Sequence, residues 1–214
     1  MLISHKDKLI YIAIKKTASG TMRKSLILAG AKNHVREFEL NPHATALEIK
    51  TRLEKRGYAW NDYFKYTTTR NPWARYVSLY AYKNMKYENY KNCTDFSEWS
   101  EIEIKQGKIN ANFFKQHPNE VNAFFEVIKS SDCQSDYYED SEGKCIVNFI
   151  GRLDHLEEDY HLVVNRVGLH QKTLLHENRS SHKPYQTYYT PELRDLVARK
   201  EHRVIAKMGY TFES

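Results

Sequence analysis

Two stretches of the chain set cations beside small or hydroxyl-bearing residues at a spacing that suits an anion. The first reads Lys15-Lys16-Thr17-Ala18-Ser19-Gly20-Thr21. Small residues let main-chain N–H groups approach an anion, Lys adds charge, Thr adds a hydroxyl donor, and a helix starting here adds its positive end. The lysines precede the small residues, so the order is not that of the G-x-x-x-x-G-K-[ST] loop of kinases and ATPases. A basic turn between a core strand and a surface helix would read the same way. The second stretch runs from Thr69 through Arg70-Asn71-Pro72-Trp73-Ala74-Arg75 to Ser78. Arg70 offers a bidentate guanidinium, and Ser78 lies about two helical turns further on, so both can converge on one anion. Arg75 has two readings, a further anion contact or the partner of a nearby carboxylate, and Trp73 reads as packing in preference to an adenine platform.

Acid–base chemistry near neutral pH points to histidine, of which the chain has ten. His43, between the two cationic stretches, reads from its surroundings alone as a surface or helix-cap residue. Arg152 and Lys183 read as further anion contacts or as surface ion-pair partners, and His182 as a second acid–base candidate. Glu157, Glu158 and Asp159 read as a solvated acidic first turn. There is no H-E-x-x-H, no EF-hand loop and no C-x-x-C among the three cysteines, so no metal is expected. A bridge between Cys133 and Cys145 stays open for an oxidising compartment.

These residues need elements to hold them. Residues 8 to 14 form an apolar run of buried-strand length. A polar turn follows, then Met22, Ser25, Leu26 and Ala29 at helical spacing, ended by Gly30. Residues 44 to 55 predict a helix and residues 63 to 69, rich in aromatic and β-branched side chains, a second strand. Pro72 opens a helix with Trp73, Tyr76, Val77, Tyr80 and Ala81 on one face. Short helices are expected near 95–105 and 119–129, and a third strand over 146–150. Asp154 with Glu157 predicts a capping box for a helix that buries Leu156, Tyr160, Val163, Val164 and Val167 and stops at Gly168. One last helix runs from Thr190 as N-cap and Pro191 to Gly209 as C-cap. Strands alternating with helices predict an α/β fold of three layers, a mostly parallel central sheet covered on both faces, with ligands at the carboxyl ends of the strands.

The chain has 214 residues, which predicts a single domain over 1–214. The formal net charge of +6 favours anionic ligands without choosing among nucleotides, sulfated glycans and nucleic acid. The longest apolar run, Leu9 to Ile14, is too short for a membrane span, so a soluble, cytoplasmic protein is expected. A basic module that binds a sulfated glycan or nucleic acid, through the Tyr- and Lys-rich segment from Tyr82 to Lys91, and a nucleotide-dependent phosphotransferase are the competing function classes. Nothing in the sequence reads the oligomeric state.

The two cationic stretches together resemble the sulfotransferases that use 3′-phosphoadenosine 5′-phosphosulfate (PAPS), in particular the carbohydrate O-sulfotransferase branch acting on heparan, chondroitin and related glycans. In that family a P-K-T-A-G-T loop holds the 5′-phosphosulfate and R-N-P-x-x-R-x-x-S the 3′-phosphate. The resemblance continues through Asn41 to Ala46, Phe149 to Leu153, and Ser180 to Tyr185 with Tyr188 to Leu193. Departures are Lys15 where Pro is usual, Ser19-Gly20 within the loop, Thr68-Thr69 for a more apolar pair and Ala74 where Asp is frequent. The resemblance implies a P-loop-like nucleotide-binding fold with PAPS as donor and 3′-phosphoadenosine 5′-phosphate (PAP) as product. Residues Lys15 to Thr21, Arg70, Ser78, Arg152, Ser181 and Lys183 would bind the nucleotide. It further implies Lys16 as stabiliser of the leaving phosphate, His43 as base, and an acceptor hydroxyl, most naturally on a carbohydrate, with a small molecule or lipid alcohol as alternatives and no nucleic acid.

Overall fold

A computed structural model describes residues 1–91, 120–170, 173–175 and 183–213, with side chains of residues 84–91 and 120–123 left out of the description. Four strands form one sheet in the order β1 (Leu2–Ser4), β2 (Leu9–Ile12), β3 (Phe64–Thr69) and β4 (Phe149–Arg152). The β1–β2 pair is antiparallel; β2–β3 and β3–β4 are parallel. Both parallel pairs need long crossovers, which the helices supply. β1 has only three residues, too few to show a periodicity, and was not expected from the sequence.

Seven α-helices are described: α1 (Ser19–Leu28), α2 (Ala46–Glu54), α3 (Pro72–Lys91), α4 (Glu120–Ser130), α5 (Leu156–Arg166), α6 (Pro191–Lys200) and α7 (His202–Met208). Expected strands and helices recur with small shifts, except for the last helix, which is two, and the expected helix near 95–105, which lies outside the described residues. The third strand starts three residues later than its apolar run, because Ile146 N donates to Tyr138 O at 2.9 Å before the chain reaches β3. Pairing then begins at Tyr66 with Phe149.

Apolar side chains gather in two cores. One joins the strands to α1, α2 and α5 through Leu26, Ile49, Leu53, Tyr160, Val163 and Val164. The other is built on α3, α4, α6 and α7 through Trp73, Tyr76, Phe124, Val127, Val197 and Val204. Trp73 is packing: its indole N–H donates to Arg194 O at 3.0 Å and its ring meets Phe212 edge-on. Three consecutive threonines sit fully buried in β3 because each hydroxyl has a partner. Thr67 donates to Ile12 O, Thr69 to Gly151 O, and Thr68 to the Tyr66 hydroxyl.

Three local expectations need correction. The Asp154–Glu157 capping box does not form: Leu153–His155 makes a 3-10 turn, and the Asp154 carboxylate is held by Arg152 at 2.7 Å. Asp159 is not a solvated residue either. It turns back on the sheet and accepts from Arg152 N at 2.7 Å, over Gly151, where a Cβ would stand 2.5 Å from its Oδ2. The last helix is two helices, α6 and α7, interrupted at Glu201, whose φ and ψ of −101° and 20° lie outside the helical range. Cys133 and Cys145 are both free thiols, which removes the bridge considered between them. Among the described residues no helix is long and apolar enough to cross a membrane.

Candidate active site at the strand ends

Parallel pairing of Ile12 with Thr67 and of Thr69 with Arg152 brings the carboxyl ends of β2, β3 and β4 to one edge of the sheet. Each strand is followed there by one of the cationic residues singled out in the sequence. The β2 exit is the loop from Lys15 to Ala18. It turns sharply, with Lys16 and Ala18 both left-handed at φ 68° and 58°, and enters α1 at Ser19. No side chain caps α1. Ala18 at its N-cap has no side-chain acceptor, and at Gly20 a Cβ would meet nothing within 4 Å.

The β3 exit explains the second motif. Arg70 directly follows the strand. Asn71 caps α3 by accepting from Ala74 N at 3.3 Å, and its amide donates to Thr211 O at 2.8 Å. Pro72 takes the first helical position, where its missing N–H costs nothing. The Arg70 guanidinium donates to Lys16 O at 3.3 Å, so the two motifs touch. Arg75, on the first turn of α3, is fully buried. It is paired with Glu201 at 3.1 Å, which decides between its two readings in favour of the carboxylate.

Lys16 and Arg70 are both depressed as cations at this edge. Burial, reinforced by Arg70, pushes the Lys16 ammonium below its ordinary pKa, and burial with Arg75 pushes Arg70 down to about 10. Burial and then Lys15 lower Lys83. Cations held down by burial and by neighbouring positive charge gain from an anion brought among them. The Lys16 ammonium also sits 4.4 Å from the centroid of the Tyr82 ring.

His43 packs at the exit of β2, beside Lys15. Its Nδ1 is 2.7 Å from Ala13 O, at the end of the β2 run. A carbonyl only accepts, so Nδ1 carries the proton and Nε2 is left with its lone pair. Burial first, with Lys15 and Arg75 adding repulsion, holds the imidazole below its usual pKa, so it is neutral at pH 7. The Thr45–Glu48 capping box, absent from the sequence reading, starts α2 two residues later and fixes the chain on that side. A cleft of about 280 Å³ opens here, lined by His43, Lys15, Glu48, Asp132 and Tyr137 among others.

The other sequence candidates divide. Lys15 pairs with Asp132 at 3.5 Å and lines the His43 cleft. Thr17 is buried and donates to Ile14 O at 3.1 Å, so its hydroxyl serves the loop. Thr21 and Ser78 are buried on α1 and α3. Arg152 lines a second cleft of about 250 Å³ with Arg70, Asn71 and Tyr210. Its guanidinium is committed to Asp154 and to Met208 O at 2.6 Å. Lys183 is exposed and lines neither cleft. Ser181 and His182 lie outside the described residues. Three residues that sequence reasoning passed over hold the site together: Asp132, Gln134 and Glu201. Gln134 clamps the main chain of Arg70 with both arms of its amide, each at 2.9 Å.

Among the described residues no group of three or more His, Cys, Asp or Glu side chains is placed to hold a metal ion. No curated protein matches the chain, and no solved structure does. One family model matches residues 1–208, spanning both cores and every element of the strand-end edge. With a match of that length over these motifs, the chain belongs to the sulfotransferase family.

Proposed function

We propose that the chain is a PAPS-dependent O-sulfotransferase of P-loop-like, three-layer architecture. The observation that carries the reading is the meeting of Lys16, Arg70 and the uncapped start of α1 at one edge, with both cations pushed down first by burial and then by a neighbouring arginine. A nucleotide with phosphates at both its 3′ and 5′ positions suits two such cationic points, one on each strand exit. Arg70 takes the 3′-phosphate. Lys16 and the first N–H groups of α1 take the 5′ end.

PAPS, when bound, supplies the sulfuryl group. The residues of this chain supply position, charge and a base. Lys16 holds the oxygen that leaves with the 5′-phosphate. The lone pair on His43 Nε2 accepts the acceptor's proton, and the hydrogen bond from Nδ1 to Ala13 O keeps the ring in that tautomer and orientation. A hydroxyl acceptor, taken as a carbohydrate, would enter by the His43 cleft, whose walls are largely hydrogen-bonding groups.

The test is thermal unfolding of the purified protein with PAP, with ATP and Mg²⁺, and with adenosine. PAP alone is expected to stabilise, at 100 times its Kd by about 2.7 kcal/mol. Arg70→Ala should lose most of that shift. An equal shift with ATP and Mg²⁺, or none with PAP at millimolar concentration, would overturn the reading.

A further inference from the structure

We infer that Glu201 is a positioning residue of the nucleotide site, acting through Arg75 and Gln134 on the main chain of Lys15 and Arg70; this rests on the nucleotide reading above. The carboxylate is buried between α6 and α7, 1% exposed, and lines neither cleft, so it does not meet a ligand. Its two oxygens divide the work. Oε1 accepts from Arg75 Nη1 at 3.1 Å and from the Tyr76 hydroxyl at 3.0 Å. Oε2 accepts from Gln134 N at 3.1 Å.

From there two arms reach the strand exits. Arg75 Nε donates to Lys15 O at 3.1 Å and Nη1 to Asp132 O at 3.0 Å, fixing the start of the anion loop and the residue that pairs with Lys15. Gln134 accepts from Arg70 N and donates to Arg70 O, fixing the backbone from which the second cation springs. One buried carboxylate therefore sets the relative position of the two segments that would hold the 5′ and 3′ ends of the nucleotide. Three accepted hydrogen bonds and no donated one call for the ionised form. Burial pushes its pKa up, and Arg75, Gln134 N and Tyr76 oppose that shift.

A merely structural carboxylate would cost stability wherever it sat. A positioning one has a partner in function, and that partner is Arg70. The experiment is a double-mutant cycle on PAP affinity, measured by calorimetry on wild type, Arg70→Ala, Glu201→Gln and the double variant, each checked for folding by circular dichroism. Glu201→Gln keeps the shape and replaces one acceptor oxygen with a donor. It is expected to weaken PAP binding on the order of tenfold or more, the scale at which a remote misplacement acts. In the Arg70→Ala background it should add less, because the Arg70 guanidinium that the clamped main chain aims is gone and only the arm to Lys15 remains. Should Glu201→Gln fail to fold, Gln134→Ala removes the clamp on Arg70 without unpairing a buried charge, and the same cycle is run with it. Wild-type affinity in a folded Glu201→Gln or Gln134→Ala protein, or losses that simply add to that of Arg70→Ala, overturns the proposal alone. A wild type that does not bind PAP overturns the nucleotide reading and this proposal with it.

Discussion

His43 shows how much a single hydrogen bond decides. Ala13 O can only accept, so the contact at 2.7 Å selects the tautomer that leaves Nε2 basic. Because burial favours the neutral ring, the folded pKa lies below the ordinary 6.5. The sign follows: above 6.5 the ring is neutral in folded and unfolded chains and costs nothing. As pH falls through 6.5 the unfolded chain takes up the proton first, and stability declines until the folded value is passed. The expected NMR titration of the His43 ring in the free protein has its midpoint below 6.5, moving upward when PAP offsets the charge of Lys15 and Arg75. A midpoint at or above 6.5 without ligand would contradict the buried, cation-facing placement. Histidine number and position were legible in the sequence, but the partner of Nδ1 was not, since a main-chain carbonyl leaves no trace in residue identity. Glu201 was hidden for a related reason. Flanked by Arg199, Lys200, His202 and Arg203, it reads as one more charge on a solvated face.

Elements were more legible than residues where both ends carried chemistry of their own. The strand-loop-helix units at Lys15 and Arg70 could be read because an apolar run, a turn of small or polar residues and a helix start follow in order, and Thr190 with Pro191 marked α6 correctly. Features set by tertiary contact were not legible. The break between α6 and α7 follows from Arg75 drawing Glu201 inward, and the start of α5 from Arg152 taking Asp154 away from a cap. The junction of β4 and α5 gives a direct test. A Cβ on Gly151 would press on the Asp159 carboxyl at 2.5 Å, and that carboxyl is bonded to Arg152 N and is not free to swing away. Gly151→Ala is therefore expected to lose about 1–3 kcal/mol by overpacking, read as a lower urea midpoint with the slope unchanged. No loss of stability would show that Asp159 yields.

At the scale of the molecule, a buried ion pair ties α3 to the junction of α6 and α7 inside the second core. Arg75 and Glu201 have no exposed side-chain surface, and Arg75 Nη2 is buried without a partner. Such a pair is a weak source of stability while intact and a costly one to break, because the remaining charge has no water to turn to. Glu201→Ala is expected to lose about 3–5 kcal/mol, and Arg75→Met with Glu201→Leu to recover much of it in chemical denaturation. A double variant no more stable than Glu201→Ala would show that the hydrogen bonds of Arg75 to Lys15 O and Asp132 O, and not its charge, supply the stability. The α/β plan and the mostly parallel sheet could be foreseen from the alternation of elements, whereas the division of the apolar residues into two cores could not. Both clusters draw on the same residue types, and only the crossovers sort them.

The distance in sequence between the partners has a consequence for biosynthesis. Arg75 meets its counter-charge 126 residues later. At roughly 5–20 residues per second, the ribosome needs on the order of 6–25 s to deliver Glu201 after Arg75 has been made. Throughout that interval the loop at Lys16 and the strand ending at Arg70 already exist, yet the carboxylate that sets them against each other does not. The nascent chain is thus kept from maturing its ligand site early, and competence to bind would appear late and abruptly, as a product of completing α6 and α7.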